Sequence, residues 1–540
     1  MRHICLILLS AIAAIVPLQA QDRHDSDVKL RRAEMIIENF YVDEVDGDTL
    51  ATEAIRAMLK TLDPHSAYST PSETREFTEP LDGRFSGIGI QFNMLEDTVY
   101  VIQPTSGGPS ERVGILPGDR IISANDTVIA GKNMPNRDVM KILRGPQGSV
   151  VKLDVKRGDE MVTFFVTRDD IPLYSVDETF MADPTTGYIR VTRFAEETAQ
   201  EIAQAIAKLR AQGMRNLIID LSDNGGGYLG AAFEAASEFL PAGTPVVSTA
   251  GRRFPPQTYA TEGAGDFQNG RLVIIANQYS ASAAEILSGA IQDNDRGLIV
   301  GRRTFGKGLV QRPFSFPDGS MIRLTVSRYY TPSGRCIQKH YEKGKGEDYQ
   351  REVFLRLTAG ELWSADSIVR PDSLRYETLR HHRPVYGGGG IIPDVFVPAD
   401  TSYYSTYYRD MMAKGLINRA AIKYVENHRA EIKAQHPDQE SFYAGYEVPE
   451  ELLQSLVALA TDNGIEYNEE QWQRSEPIVR AILRGLVARD IYENASYFRA
   501  IAPLNKDFQE ALRLINDPER YNALLRGQPV EEARPTAEAQ

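Results

Sequence analysis

Apolar and polar positions repeat with different periods along the chain, and the switches between periods mark its parts. Between residues 28 and 61, Leu30, Ala33, Ile36, Ile37 and Tyr41, then Leu50, Ile55, Met58 and Leu59, recur at helical spacing. Leu62-Asp63-Pro64-His65-Ser66 breaks that run. From 84 to 167 the period shortens to two: Ile88, Ile90 and Phe92 alternate, then Val99 and Val101, and later Val151, Leu153 and Val155, with glycine turns between them. From 186 to 335, strands expected at 187–192, 216–221, 245–249, 272–277, 298–301 and 321–327 are interleaved with helices at 197–211, from Leu229 and at 280–293. Such alternation predicts an α/β core, and the unbroken apolar run at 216–221 predicts a strand covered on both faces. A polar stretch at about 340–385 reads as an insertion, and 402–520 is mostly helical, clearest at 450–460, 478–490 and 508–514. The polar tail after Arg526 is expected to be disordered.

Composition narrows the function classes. The 540 residues are 42% hydrophobic and 25% charged, enough for several folded domains. A net charge of −14 disfavours a nucleic-acid-coating role, which needs a concentrated basic surface. Residues 1–20 read as a signal peptide: Arg2 and His3 precede an apolar run, and Leu18-Gln19-Ala20 ends in a small residue. That run is short for a membrane span and no other long one follows, so the mature chain is expected to be exported, periplasmic and without a stable span. Of the two cysteines, Cys5 leaves with the leader and Cys336 has no partner, so packing alone must hold the fold.

Three places can carry chemistry. Phe85-Ser86-Gly87-Ile88-Gly89-Ile90 opens a strand with a loop whose backbone N–H groups can capture a terminal carboxylate while the strand edge pairs with a peptide. With Gly114-Ile115-Leu116-Pro117-Gly118-Asp119 and the Arg144-Gly145 turn, this module resembles a PDZ domain. The second place is Asp220 to Gly230. Its glycines fit a dinucleotide loop, but residues 241–255 lack the acidic partner such a loop wants; the loop either presents N–H groups to an oxyanion or is a plain turn. Third, Ser280 and Ser282 lie at a strand-to-helix bend, where a serine either caps the helix or faces a cleft as a nucleophile. No G-x-S-x-G or H-E-x-x-H occurs, and no histidine lies between His65 and His340, so the local candidate for a base is Lys307, flanked by Gly306 and Gly308. On one strand, Gln311 would share a face with Lys307 and could orient its amine.

Taken together, Ser280-Ala281-Ser282-Ala283-Ala284-Glu285, Phe305-Gly306-Lys307-Gly308 with Gln311, the Asp220–Gly227 loop, the PDZ-like module and Gly390-Ile391-Ile392-Pro393-Asp394 resemble, in order, the C-terminal processing peptidases, or tail-specific proteases. The resemblance covers about residues 30–400. It implies a crotonase-like, tricorn-type α/β protease core at 169–400 with a PDZ domain at 81–168 and helical regions at 21–80 and 401–540. It also implies a serine endopeptidase, here expected to be exported by its leader, with Ser282 as nucleophile, Lys307 as general base and Gln311 as its support. Gly226 and Ala283 would form the oxyanion hole, and Gly87, Ile88, Gly89 and Ile90 would bind the peptide. No metal or cofactor is implied; protein or peptide substrates with flexible C-termini and a homodimer are. The loop departs from the family pattern, with Ser222 where an Arg is usual and Gly225 in a variable slot, and Ala284 replaces a common Ser. Two other readings remain: a non-catalytic PDZ-type peptide-binding adaptor that kept the fold, and a small-ligand carrier like the retinoid-binding proteins of the eye, which share this core.

Overall fold

A computed structural model of the chain describes residues 18–263, 265–492 and 498–529. Most of the expected leader and the end of the polar tail lie outside them. The chain forms two compact units. One gathers residues up to Thr74 with Gln311–Thr325 and Tyr341–Gln350; the other holds Arg75–Val310, Val326–His340 and the chain from Arg351 onward.

In the first unit, Asp46 caps the helix Gly47–Lys60, accepting from Asp48 N at 3.2 Å. The preceding helix Leu18–Phe40 leaves Leu30, Met35, Ile36 and Phe40 exposed. The 62–66 break is a side-chain-built turn. Asp63 Oδ1 accepts from the N–H groups of His65 and Ser66 at 2.9 and 3.0 Å, and Oδ2 accepts from Ser66 Oγ at 2.6 Å.

The second unit is built on a six-stranded sheet in the order Val176–Met181, Thr186–Val191, Asn216–Asp220, Leu272–Ala276, Leu298–Gly301, Val395–Phe396, parallel except for its first pair. Successive side chains take opposite faces. Ile189, Leu217, Ile219, Leu272 and Ile274 pack with the helices Thr198–Ala211, Leu229–Ser237 and Ala283–Asp293. Tyr188, Ile218, Val273, Ile275 and Val300 pack with Phe508, Ala511 and Leu514 of the helix Lys506–Ile515 and with Tyr521 of Pro518–Leu525. Covering on both faces explains the unbroken apolar runs. It also divides the helical region expected as one piece at 401–540: helices between 406 and 491 share a core of their own, while the last two complete the α/β sheet.

The β-rich module has the strand order Ile90–Leu95, Thr98–Pro104, Arg120–Ala124, Val150–Arg157, Glu160–Thr167. Its entry strand Arg84–Gly87 pairs with its exit strand Asp169–Pro172. The module is docked on the C-terminal helices. Leu95, Tyr100 and Ile102 bury Ile422 of Leu416–Gln435, Glu96 lies 3.2 Å from Lys423, and Gln103 Nε2 donates to Arg489 O at 2.8 Å.

Candidate active site

The strand Leu272–Ala276 ends at Asn277, and the chain must turn sharply to enter the helix Ala283–Asp293. Ser280 fixes that turn. Wholly buried, it accepts from Asn277 N at 2.9 Å and donates to Leu221 O at 2.7 Å, so its hydroxyl is committed to the bend. Ser282 is the residue at the helix N-cap, with φ 56° and ψ −113°. A non-glycine residue with positive φ is costly, and such strain gathers at functional sites. The next amide, Ala283 N–H, is the first of the helix and has no intrahelical acceptor.

The Gly-rich loop lies against Ser282. A side chain built on Gly226, at φ +99°, would come within 2.7 Å of Ser282 Cβ and 2.8 Å of Ala281 O, which is why glycine stands there. The loop is tied down by Asn224, whose backbone O accepts from Ala281 N at 2.9 Å and whose Nδ2 donates to Val191 O at 2.8 Å. The same side chain corrects one expectation. Asn224 Oδ1 accepts the Gly226 N–H at 2.8 Å, so in this conformation that amide is engaged and not open to an oxyanion. Ser222 donates its N–H to Asp220 Oδ1 at 2.8 Å; its hydroxyl is buried with no hydrogen-bond partner among the described residues.

Lys307 lies in an irregular segment two residues before the strand Leu309–Ser315, so the same-face argument for Gln311, which needs one continuous strand, does not hold. What brings the lysine segment to the serine is Glu285, the third residue of the serine's helix. Its carboxylate is fully buried. Oε2 accepts from Ser282 N and Lys307 N, both at 2.8 Å, and Oε1 accepts from Gly306 N at 2.7 Å and Thr304 Oγ1 at 2.5 Å. Burial pushes this carboxyl up from its ordinary range, against four hydrogen bonds that favour the ion. Further bracing comes from the 340–385 segment: Arg356 donates to the carbonyls of Thr304 and Phe305 at 2.7 and 3.0 Å. The Gly390–Asp394 motif contributes as well, since Ile391 N donates to Thr304 Oγ1 at 2.7 Å and Thr304 N to Ile391 O at 3.0 Å.

A second lysine stands nearby but is differently employed. Lys339 Nζ is 2.9 Å from Glu352 and 3.9 Å from the centre of the Phe305 ring; burial lowers its pKa, opposed by Glu352. Burial raises the pKa of the Cys336 thiol, which disfavours the thiolate.

Gln311 belongs to the first unit. There its Nε2 donates to Thr325 Oγ1 at 3.1 Å, and Thr325 Oγ1 donates to Asp63 Oδ1 at 2.9 Å. A carboxylate only accepts, so the threonine proton goes to Asp63 and the hydroxyl is left to accept, which fixes which end of the Gln311 amide is nitrogen. In the β-rich module, Ile88 O accepts from Ser110 N and Oγ at 3.1 and 2.7 Å, and Gly89 O accepts from Thr105 N at 3.0 Å. Because C=O and N–H of a trans peptide point opposite ways, the N–H groups of Gly89 and Ile90 are turned away from these contacts. Gly87 is held in the entry strand opposite Asp169.

Sequence reasoning singled out Ser282 and Lys307 but gave Glu285, Tyr329, Asn224 and Arg356 no role. Glu285 alone carried a signal, as the acid three residues into a helix opened by serine.

Comparison with known proteins matches residues 185–350 to peptidase family S41, 86–167 to the PDZ domain and 407–493 to a family of unknown function, DUF8443. The chain is 35% identical over 334 residues to the carboxy-terminal processing protease CtpB of Bacillus subtilis (strain 168), covering 60% of this chain and 69% of that one. It is 33% identical over 320 residues to a probable CtpA-like serine protease of Staphylococcus aureus (strain N315), covering 59% of this chain and 63% of that one. Among solved structures, a photosystem II D1 C-terminal processing protease is 30% identical, with a TM-score of 0.35, covering 59% of this chain and 88% of that one. On the family-model matches and the likeness to the Bacillus subtilis protease, the chain belongs to the carboxy-terminal processing proteases, serine peptidases of family S41 that carry a PDZ domain.

Proposed function

We propose that the protein is an exported serine endopeptidase that holds flexible C-terminal tails in its PDZ domain and cleaves them with Ser282 and Lys307. One observation carries the reading: a serine with strained backbone at a helix N-terminus and the glycine-flanked lysine share a single buried carboxylate oxygen through their N–H groups. Export rests on the leader-like residues 1–20.

In this mechanism the tail's carboxylate meets the amides of Gly89 and Ile90 and the peptide lies along the module's strand edge. Lys307, neutral, takes the Ser282 Oγ proton as that oxygen bonds to the scissile carbonyl carbon. The carbonyl oxygen becomes an oxyanion received by the Ala283 N–H at the positive end of the helix. A contribution from Gly226 requires Asn224 to release its amide, which a bound substrate would have to drive. Protonated Lys307 then gives its proton to the leaving amine, and water hydrolyses the acyl-enzyme by the same route in reverse.

The engaged Gly226 amide is the one observation that favours the second reading, a peptide-binding adaptor without catalysis. Incubating wild type, Ser282→Ala and Lys307→Ala with a protein bearing an unstructured apolar tail separates the two. Cleavage by wild type alone is expected. Binding without cleavage by all three would establish the adaptor instead.

A further inference from the structure

Proton transfer from Ser282 to Lys307 depends on the distance between two segments 25 residues apart in sequence, and catalytic groups must be held to about half an ångström. Glu285 Oε2 gathers the N–H groups of both residues at 2.8 Å each. On the carbonyl side, Tyr329 Oη donates to Lys307 O and lies 3.1 Å from Ser282 O. So the two amides meet one oxygen and the two carbonyls meet one hydroxyl. Both side chains are buried, Tyr329 at 1% exposure and Glu285 at 0%. Tyr329 also joins the lysine segment by its backbone, donating to Gly308 O at 3.0 Å. An N3 glutamate ordinarily serves the cap of its own helix. Here three of its four donors come from outside the helix.

We infer that Glu285 and Tyr329 are positioning residues that clamp the backbone of Ser282 and Lys307 from two sides and so set the spacing of the reacting pair. Neither touches substrate. The inference rests on the reading of Ser282 and Lys307 as the reacting pair, and its test is arranged so that the two can fail separately.

Tyr329→Phe removes one oxygen and leaves the ring in the core. For wild type, Tyr329→Phe and Glu285→Gln, kcat and KM on the tailed substrate, the labelling rate with a serine-directed fluorophosphonate and the melting temperature are measured from about pH 5 to 9. Expected for Tyr329→Phe is a fall in kcat of about tenfold or more at nearly constant KM, since a misplacement of about 1 Å can cost about 10²-fold. Labelling slows in parallel. The rising limb of the pH profile moves to higher pH, because a displaced lysine drifts toward its ordinary value of about 10.4. Glu285→Gln, which turns an NH2 toward two of four donors, falls further. A lower melting temperature with unchanged kcat, labelling and pH limb in Tyr329→Phe would show that the residue serves only the fold and would overturn the inference, with Lys307→Ala inactive. If Lys307→Ala retains activity, the reading of the pair fails, and the clamp with it.

Discussion

One methyl group at position 226 tests how tightly the glycine loop is fitted to the nucleophile. Gly226→Ala would press a Cβ against Ser282 Cβ at 2.7 Å from a backbone at φ +99° that L-residues avoid. The expected result is a loss of kcat/KM of about 10²-fold or more with about 1–3 kcal/mol of stability, read by kinetics and chemical denaturation. An alanine variant within twofold of wild type would remove this loop from the site. Thr325 offers a subtler change. Thr325→Val deletes the hydroxyl that accepts from Gln311 and keeps the strand's β-branched shape. It is expected to lower stability by about 0.5–1.5 kcal/mol in chemical denaturation, while Thr325→Ser restores it; equal stability of all three would deny the Gln311–Thr325–Asp63 chain a role. At this scale the sequence was readable where a residue type is rare for its surroundings, as with a serine among small residues at a bend or a lysine between glycines. It was unreadable where a common residue acts at a distance. Tyr329 reaches two carbonyls supplied by separate segments, and nothing in its neighbours announces that.

The C-terminal helices and the PDZ domain are joined by a small apolar contact ringed by charge. Ile422 sits among Leu95, Tyr100 and Ile102; Glu96 faces Lys423, Arg120 and Arg419; Arg120 reaches Glu426 at 3.3 Å. The hydrogen bond and charge of Lys423, then the charges of Arg120 and Arg419, hold the Glu96 carboxyl below its ordinary range. A carboxyl depressed in the folded state stabilises above its unfolded pKa and loses that contribution as pH falls through the folded one. Protection of the amides in the strand Thr98–Pro104, taken relative to the intrinsic exchange rate at each pH, should therefore fall on acidification below about pH 4.5 and with added salt, and Glu96→Gln should blunt the acid effect. Protection factors indifferent to acid, salt and Ile422→Ala would mean the docking contact holds nothing. Among elements, the strand Asn216–Asp220 was legible because burial on both faces leaves an apolar run. The helix Glu469–Ile491 was seen only from 478, because Pro477 lies inside it and the Asn468 cap stands far upstream of the strongest periodicity. The 340–385 segment could not be placed, since its work is done by Arg356 donors on carbonyls some fifty residues away.

In the whole molecule, the chain's last helices finish what its middle begins. Lys506–Ile515 and Pro518–Leu525 cover Tyr188, Ile218, Ile275 and Val300, and Asp507 pairs with Arg302 at 2.9 Å, close before the lysine segment. Ending the chain at Asn505 should expose that face and give an aggregating, inactive protein, whereas ending it at Arg526 should change little; light scattering and thermal unfolding decide between these outcomes. An α/β core with a β-rich module was legible from alternating periods, but that the final helices return to the sheet was not, because amphipathic spacing says a helix has a partner without saying which. The account as a whole depends on Lys307 acting as a neutral base toward Ser282. Its most direct measurement is the single-turnover acylation rate of wild type on a tailed peptide from about pH 5 to 9. The account predicts a rate that climbs with pH along one ionisation; a rate flat across that range would contradict it.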